Sequence, residues 1–274
     1  MKELESAELV RIGLAPRLAL EHAGEGPLVV FLHGIGGNRT NWRDQMRALA
    51  DRFHVCAWDA RGYGDSDDYE GPLDFADFSR DLTKVLEHFG AAAAHLVGLS
   101  MGGLIAQDFY RRNPERVLSL VLADTRNGFQ RHNADEFLKQ REAPLLAGRT
   151  PKDIAADVAR SLAGPRISKQ AFARLVDSIA ALHKDSYLKT LRATTRIGEH
   201  PAYKGRETFV DLASVRVPTL VICGTEDAVT PAGMSRALAA GIAGARLCWI
   251  EDAGHLSNIE NPQAFNTALR TFLA

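Results

Sequence analysis

Ser100 lies in Gly98-Leu99-Ser100-Met101-Gly102-Gly103, with a glycine two places to either side. The run His95-Leu96-Val97-Gly98 before it predicts a strand. Met101 to Arg112 after it predicts a helix, stopped by Asn113-Pro114. A strand-to-helix turn this tight forces the serine into a strained backbone conformation and projects its hydroxyl into the open. The flanking glycines let strand and helix approach, and the positive end of the helix favours negative charge developing nearby. This is the setting for a nucleophile. A serine hydroxyl is weak at neutral pH, so a base must take its proton.

The chain has nine histidines. His255 lies in a predicted loop after the last strand, in Glu251-Asp252-Ala253-Gly254-His255-Leu256. His22, His54, His88, His95, His132, His183 and His200 fall in predicted strands, helices or a helical stretch, and read as packing or surface residues. A base of this kind needs a carboxylate to orient it. Asp227, in Gly224-Thr225-Glu226-Asp227, is the first choice; Asp124 and Glu226 compete. Ser100 would attack a carbonyl, His255 would shuttle the proton, and Asp227 would fix the imidazole tautomer. The intermediate's oxyanion needs two N–H donors. Met101 follows the nucleophile and supplies one; Ile35, in His33-Gly34-Ile35-Gly36-Gly37, is the candidate for the other. His33 reads mainly as a brace for that loop. Asp59 to Ser66 reads as a rigid turn beside it.

The elements that must hold these residues follow from the hydrophobic pattern. Val10 to Leu14 and Arg17 to His22 predict an opening hairpin. Pro27 to Leu32, Phe53 to Trp58, His95 to Gly98, Val117 to Leu122, Val217 to Cys223 and Arg246 to Ile250 predict buried strands. Helical spacing marks Asn41 to Ala50, Phe75 to Phe89, Met101 to Arg112, Ala232 to Ala240 and Asn261 to Leu273. Between Thr125 and Asp211 the pattern is helical only, over Ala134 to Gln140, Pro151 to Leu162, Lys169 to Leu182 and Ser186 to Ala193. The expectation is an α/β core over residues 1–125 and 211–274, with a mostly parallel eight-stranded sheet, interrupted by a helical cap over 126–210.

Composition narrows the function classes. A chain of 274 residues suits one α/β domain with one insertion. Net charge is −1 with no basic block, which argues against nucleic acid as a partner. No apolar run approaches the ~18 residues of a membrane span, and Met1 to Glu8 has no secretory pattern, so the expected setting is cytoplasmic. Cys56, Cys223 and Cys248 read as reduced thiols. His and Cys never reach zinc-ligand spacing, and Gly34-Ile35-Gly36-Gly37 lacks the third glycine of a dinucleotide fingerprint. No metal and no cofactor are expected. The expected partner is a small ester or lactone substrate, with a homodimer possible.

In His33 to Gly37, Asp59 to Ser66, Gly98 to Gly103, Gly224 to Pro231 and Gly254 to Pro262, taken together and in this order, the chain resembles the α/β-hydrolase superfamily over nearly its whole length. Within it, Gly98 to Leu104, Val121 to Thr125, Ile242 to Arg246 and His255 to Glu260 most resemble 3-oxoadipate enol-lactonases, which hydrolyse a small anionic enol-lactone without a cofactor. Those enzymes commonly carry Ser-Leu-Gly where this chain has Gly34-Ile35-Gly36. The resemblance therefore implies ester or lactone hydrolysis more than that one substrate. Ser100 separates the chain from haloalkane dehalogenases and epoxide hydrolases, which use Asp there. Carbon–carbon bond hydrolases of vinylogous diketones are the chief rival; a perhydrolase and a non-catalytic binding protein rank lower. By the same resemblance the insertion lies over the site. Arg126, Asn127, Arg131, His132, Lys184, Arg192 and Arg196 are cations or polar groups that could meet a substrate carboxylate. His33, Gly34, Arg126 and Leu256 are the candidates for touching substrate.

Overall fold

β-Branched and aromatic side chains favour extended backbone, and where an apolar run does not alternate, both faces must be covered. In the computed structural model, which describes residues 7–129 and 134–274, such runs form the centre of one sheet. Its strands are β1 (Glu8–Ile12), β2 (Leu18–Ala23), β3 (Leu28–Leu32), β4 (His54–Trp58), β5 (Ala94–Leu99), β6 (Val117–Ala123), β7 (Thr219–Gly224) and β8 (Arg246–Ile250). They are ordered β1-β2-β4-β3-β5-β6-β7-β8. Every residue of β3 and β7 is buried, whereas edge strand β1 is largely open and edge strand β8 mostly half-buried. Only β2 runs against its neighbours, so the sheet is mostly parallel.

The order reverses direction between β3 and β5. β4 lies on one side of β3 and β5 on the other, which opens a crevice beyond their carboxyl ends. The loop from His33 leaves β3 there, and Ser100 leaves β5. The sheet is flanked by α1 (Arg43–Leu49), α2 (Ala76–His88) and α3 (Met101–Arg112). Later in the chain come α4 (Ala134–Leu146), α5 (Pro151–Leu162), α6 (Lys169–Ala180), α7 (Lys184–Thr195), α8 (Ala232–Gly241), α9 (Ser257–Glu260) and α10 (Pro262–Leu273). α1 packs on α10, and α2 packs on α3.

Helices α4 to α7 form the insertion between β6 and β7. α4 runs past the expected Gln140 to Leu146 and carries Pro144 within it. The ends of the insertion meet in a short antiparallel stem. Phe129 N–H donates to the Glu207 carbonyl at 2.8 Å, and Phe209 N–H to the Asn127 carbonyl at 3.1 Å. The Asn127 amide completes the stem, donating to the Val210 carbonyl at 2.9 Å and accepting from its N–H at 3.1 Å. Met1 to Ser6, Arg131 and His132 lie outside the described residues. Cys56, Cys223 and Cys248 are free thiols, and no helix among the described residues is long and apolar enough to cross a membrane.

Candidate active site

Ser100 stands between β5 and α3 with φ 54° and ψ −115°, a conformation that costs an L-residue energy and persists only when its surroundings impose it. Here they do. The Ser100 N–H donates to the Ala123 carbonyl at 2.9 Å, and the Ser100 carbonyl accepts from the Thr125 hydroxyl at 2.7 Å. Gly102 passes so close to β3 that a Cβ on it would lie 2.0 Å from the Leu32 carbonyl oxygen. A Cβ on Gly98 would lie 2.3 Å from the Gly102 carbonyl oxygen. The glycines of the motif are therefore steric requirements of the turn.

The Ser100 Oγ is 2.9 Å from His255 Nε2, and His255 Nδ1 is 3.0 Å from Asp227 Oδ2. The imidazole and the carboxylate are both buried. Asp227 Oδ1 accepts the N–H groups of Val229 and Thr230 at 2.8 and 2.9 Å, and Oδ2 accepts the Thr230 hydroxyl at 2.6 Å. Burial alone would raise the Asp227 pKa. The His255 imidazole and the Thr230 hydrogen bonds outweigh it and hold the carboxyl below its ordinary range. Asp227 is thus poised to accept from Nδ1–H, which leaves Nε2 free to take the serine proton.

The two competing acids are elsewhere. Glu226 is half-buried and faces the exposed Arg166 at 3.5 Å. Asp124 is fully buried with φ 46° and accepts the Gly224 N–H at 2.8 Å, the Ser257 N–H at 3.2 Å and the Ser257 hydroxyl at 2.5 Å. It therefore ties the loop before Asp227 to the loop after His255. Burial, and next the nearby Asp227 charge, push its carboxyl up to about 7. Asp124, Cys223 and Asp227 bring one donor atom each within 4.8 Å of the others. Both carboxylates there already accept several N–H and O–H groups, so the cluster is built as a hydrogen-bonded acid pair.

Met101 opens α3, where first-turn N–H groups have no acceptor within the helix. Ile35 and Met101 line the same cavity as Ser100, with Leu104, Thr125 and Arg126. The far wall comes from the insertion, through Thr194 and Thr195. A second, apolar lobe shares Ile35 and is walled by Leu99, Leu162, Leu175, Leu256 and Ile259. The open volume is ≈ 30 Å³ in the first lobe and ≈ 20 Å³ in the second.

The predicted residues separate clearly in space. Ser100, Asp227 and His255 form one hydrogen-bonded line, and Ile35, Met101 and Arg126 border it. Gly34 and Leu256 line the apolar lobe. His33 borders that lobe too, yet both its ring nitrogens are committed. Nε2 accepts the Ala60 N–H at 3.0 Å, so Nδ1 carries the proton and donates to the Gly34 carbonyl at 2.8 Å. Its polar atoms are thus taken up in bracing the loop. Burial lowers the His33 pKa, in keeping with this neutral ring. The turn from Asp59 to Ser66 packs beside it, the Ser66 hydroxyl donating to the Asp59 carbonyl at 2.6 Å.

Of the other cations, Arg192 pairs with Glu142 and Arg196 with Asp135, and neither borders the Ser100 cavity. Asn127 belongs to the stem. The sequence reading missed Thr194, Thr195, Thr230, Leu162 and Leu175. Thr230 alone had a local signal, three residues after Asp227, where a hydroxyl can reach back to a carboxylate.

An alpha/beta hydrolase fold model matches residues 27–262. A putative carbamate hydrolase from Azorhizobium caulinodans is 33% identical, over 93% of this chain and 94% of its own length. 3-Oxoadipate enol-lactonase 2 from Acinetobacter baylyi is 28% identical, over 94% of each chain. Among solved structures, a thermophilic esterase from Thermogutta terrifontis with malate bound superposes with a TM-score of 0.86 at 29% identity, covering 97% of this chain and 98% of its own.

Proposed function

Because the chain belongs to the α/β-hydrolase family, we propose that it is a cofactor-free serine hydrolase of a small carboxylic ester or lactone. The observation that carries this reading is the continuous line from Ser100 Oγ through His255 to Asp227, at 2.9 and 3.0 Å. These are hydrogen-bond distances for proton transfer from the hydroxyl to Nε2.

In this reading Ser100 Oγ attacks the acyl carbon as its proton passes to His255 Nε2. Asp227 stabilises the resulting imidazolium, and the N–H groups of Met101 and Ile35 hold the oxyanion. Collapse breaks the acyl–oxygen bond. The leaving alcohol, or the ring-opened hydroxyl of a lactone, takes the proton from Nε2. Water then adds to the acyl-enzyme, again giving its proton to His255, and Ser100 leaves with that proton restored. The open volume beside Ser100 holds about one or two water molecules. Thr194 and Thr195 of the insertion stand against that space and would meet an entering ester.

The test is hydrolysis of a short-chain p-nitrophenyl ester by the protein and by Ser100→Ala. The variant is expected to lose at least ~10³-fold in kcat/KM. Full activity in Ser100→Ala overturns the reading. Enol-lactones and small lactones come next, to order the substrates. A second reading takes a carbamate as the acyl group. It has the same carbonyl chemistry and is favoured by the relative named as a putative carbamate hydrolase.

A further inference from the structure

We propose that Glu260 is a positioning residue: it holds the imidazole of His255 in line with Ser100 and ties that alignment to the helical insertion. The proposal rests on the serine-hydrolase reading above. A loop residue has no strand ladder to hold its backbone, so each buried N–H needs an acceptor from elsewhere. Around His255 four successive N–H groups have one. Gly254 donates to Glu260 Oε2 at 3.0 Å, and Leu256 to Glu260 Oε1 at 3.1 Å. His255 itself donates to the Leu162 carbonyl at 3.2 Å, at the end of α5 in the insertion. Ser257 donates to Asp124 at 3.2 Å. One carboxylate thus grips the residues on both sides of the base.

The same carboxylate reaches across to the insertion. Glu260 Oε2 also accepts the Gly164 N–H, at 2.8 Å, two residues beyond Leu162. Two N–H groups from different parts of the chain therefore converge on one oxygen. The two backbones nearly touch there: a Cβ on Gly254 would lie 2.3 Å from the Gly164 nitrogen, and one on Gly164 would lie 2.7 Å from the Gly254 nitrogen. Converging N–H dipoles repel unless an acceptor stands between them, and an anion is the strongest acceptor. Removing the Glu260 carboxylate leaves three donors without their partner and leaves the α5–α6 corner tied to the His255 loop chiefly by the longer His255 N–H to Leu162 carbonyl bond at 3.2 Å. The imidazole then loses the register that gives 2.9 Å to Ser100 Oγ.

The experiment compares Glu260→Ala and Glu260→Gln with the unaltered protein on the p-nitrophenyl ester, with Ser100→Ala in parallel. Active sites are counted with a fluorophosphonate that labels Ser100 stoichiometrically, and melting temperature is recorded. In Glu260→Ala, kcat per labelled site is expected to fall roughly 10- to 100-fold with KM little changed, as for a small displacement of a reacting group. Glu260→Gln keeps one oxygen acceptor but turns an NH2 toward N–H donors, so it should fall between the two. The low-field proton signal of the His255–Asp227 hydrogen bond should weaken in both variants. A merely structural role predicts fewer labelled sites and a lower melting temperature, with kcat per site unchanged. That result overturns the proposal, as does failure of both variants to fold. If Ser100→Ala keeps full activity, it is the serine-hydrolase reading that has failed; if only the Glu260 variants match the unaltered protein, it is the brace.

Discussion

The two walls of the Ser100 cavity are built on different principles. On the core side, position is imposed by backbone. Ser100, Gly98 and Gly102 sit where strand and helix meet at van der Waals limits, and a single added methyl would overlap β3. On the insertion side, position is set by side chains on helices. Thr194 and Thr195 face the cavity from α7, and Leu162 and Leu175 line the neighbouring apolar lobe from α5 and α6. The first kind of wall tolerates almost no change and can aim a nucleophile. The second can be re-cut residue by residue, which suits choice of substrate. Under the proposed function, this division would give the chemistry to the core and the selectivity to the insertion.

The sharpest way to break that division is to damage the core without touching the cavity surface. Asp227→Asn keeps the shape but cannot hold His255 in the tautomer that accepts the serine proton. The expected loss is about 10³- to 10⁴-fold in kcat, read on the p-nitrophenyl ester. A loss below tenfold would mean another group orients the base, the Thr230 hydroxyl at 3.4 Å from Nδ1 or the buried Asp124. Next comes Gly102→Ala. Its Cβ would stand 2.0 Å from the Leu32 carbonyl oxygen, and neither backbone can retreat. We expect insoluble protein or a melting temperature more than about 10 °C lower, while Thr195→Ala, on the insertion, shifts it by a few degrees at most. Equal shifts in a thermal melt would erase the distinction between the walls.

The same division explains what could be read from sequence. Ser100, Met101, Asp227 and His255 were legible because their placement is enforced locally. A strained turn admits only glycine at fixed offsets, and a loop after a strand end leaves a short list of acids and bases. Even so, Asp227 and Asp124 differed only in which strand they followed; in the fold it is Asp227 that lies 3.0 Å from His255 Nδ1. The insertion offered no such enforcement. Helical spacing located α4 to α7, with α4 ended at Gln140 where the structure continues it to Leu146, but spacing does not fix how each helix is turned. Of Arg126, Arg192 and Arg196, all offered as cations that could meet a carboxylate and Arg126 alone as a substrate contact, Arg126 borders the cavity and the other two do not. Glu260 was visible as a residue without a role, because it acts on backbone N–H groups that leave no side-chain signature.

Arg126 sits where the two walls join, on the first residues of the insertion, and borders the cavity with its neighbour Thr125. Replacing it with leucine keeps bulk and removes charge. For an ester carrying a free carboxylate, KM should rise about 10- to 100-fold, the range of a lost charge-assisted hydrogen bond. For the neutral ester of the same length, KM and kcat should hold within about twofold. Parallel steady-state measurements on the two esters check this. An equal loss on both would make Arg126 part of the core's machinery and move the boundary between the walls.

The smallest effect expected is on stability, and it probes how far the core has been strained to hold its acids. Asp124 is held with its pKa at about 7, above the ordinary 3.8, by burial and by Asp227 beside it. His255 and the Cys223 thiol face the same cluster, and His255 pulls the Asp124 pKa the other way. Between those two values the folded chain keeps a proton that the unfolded chain has released. The contribution of Asp124 to stability must then fall as pH rises through this window, because ionising it beside Asp227 costs energy only in the fold. Asp124→Asn cannot ionise. Its amide still accepts from Gly224 and can donate to the Ser257 hydroxyl, while the Ser257 N–H loses its acceptor at a cost that does not vary with pH. The difference in melting temperature, variant minus unaltered protein, should therefore become more positive from pH 4.5 to pH 7.5, by a few degrees across the series. A flat difference would show that Asp124 is already ionised at pH 4.5, and that the core holds two charged acids side by side with the imidazole and the N–H donors alone to offset them.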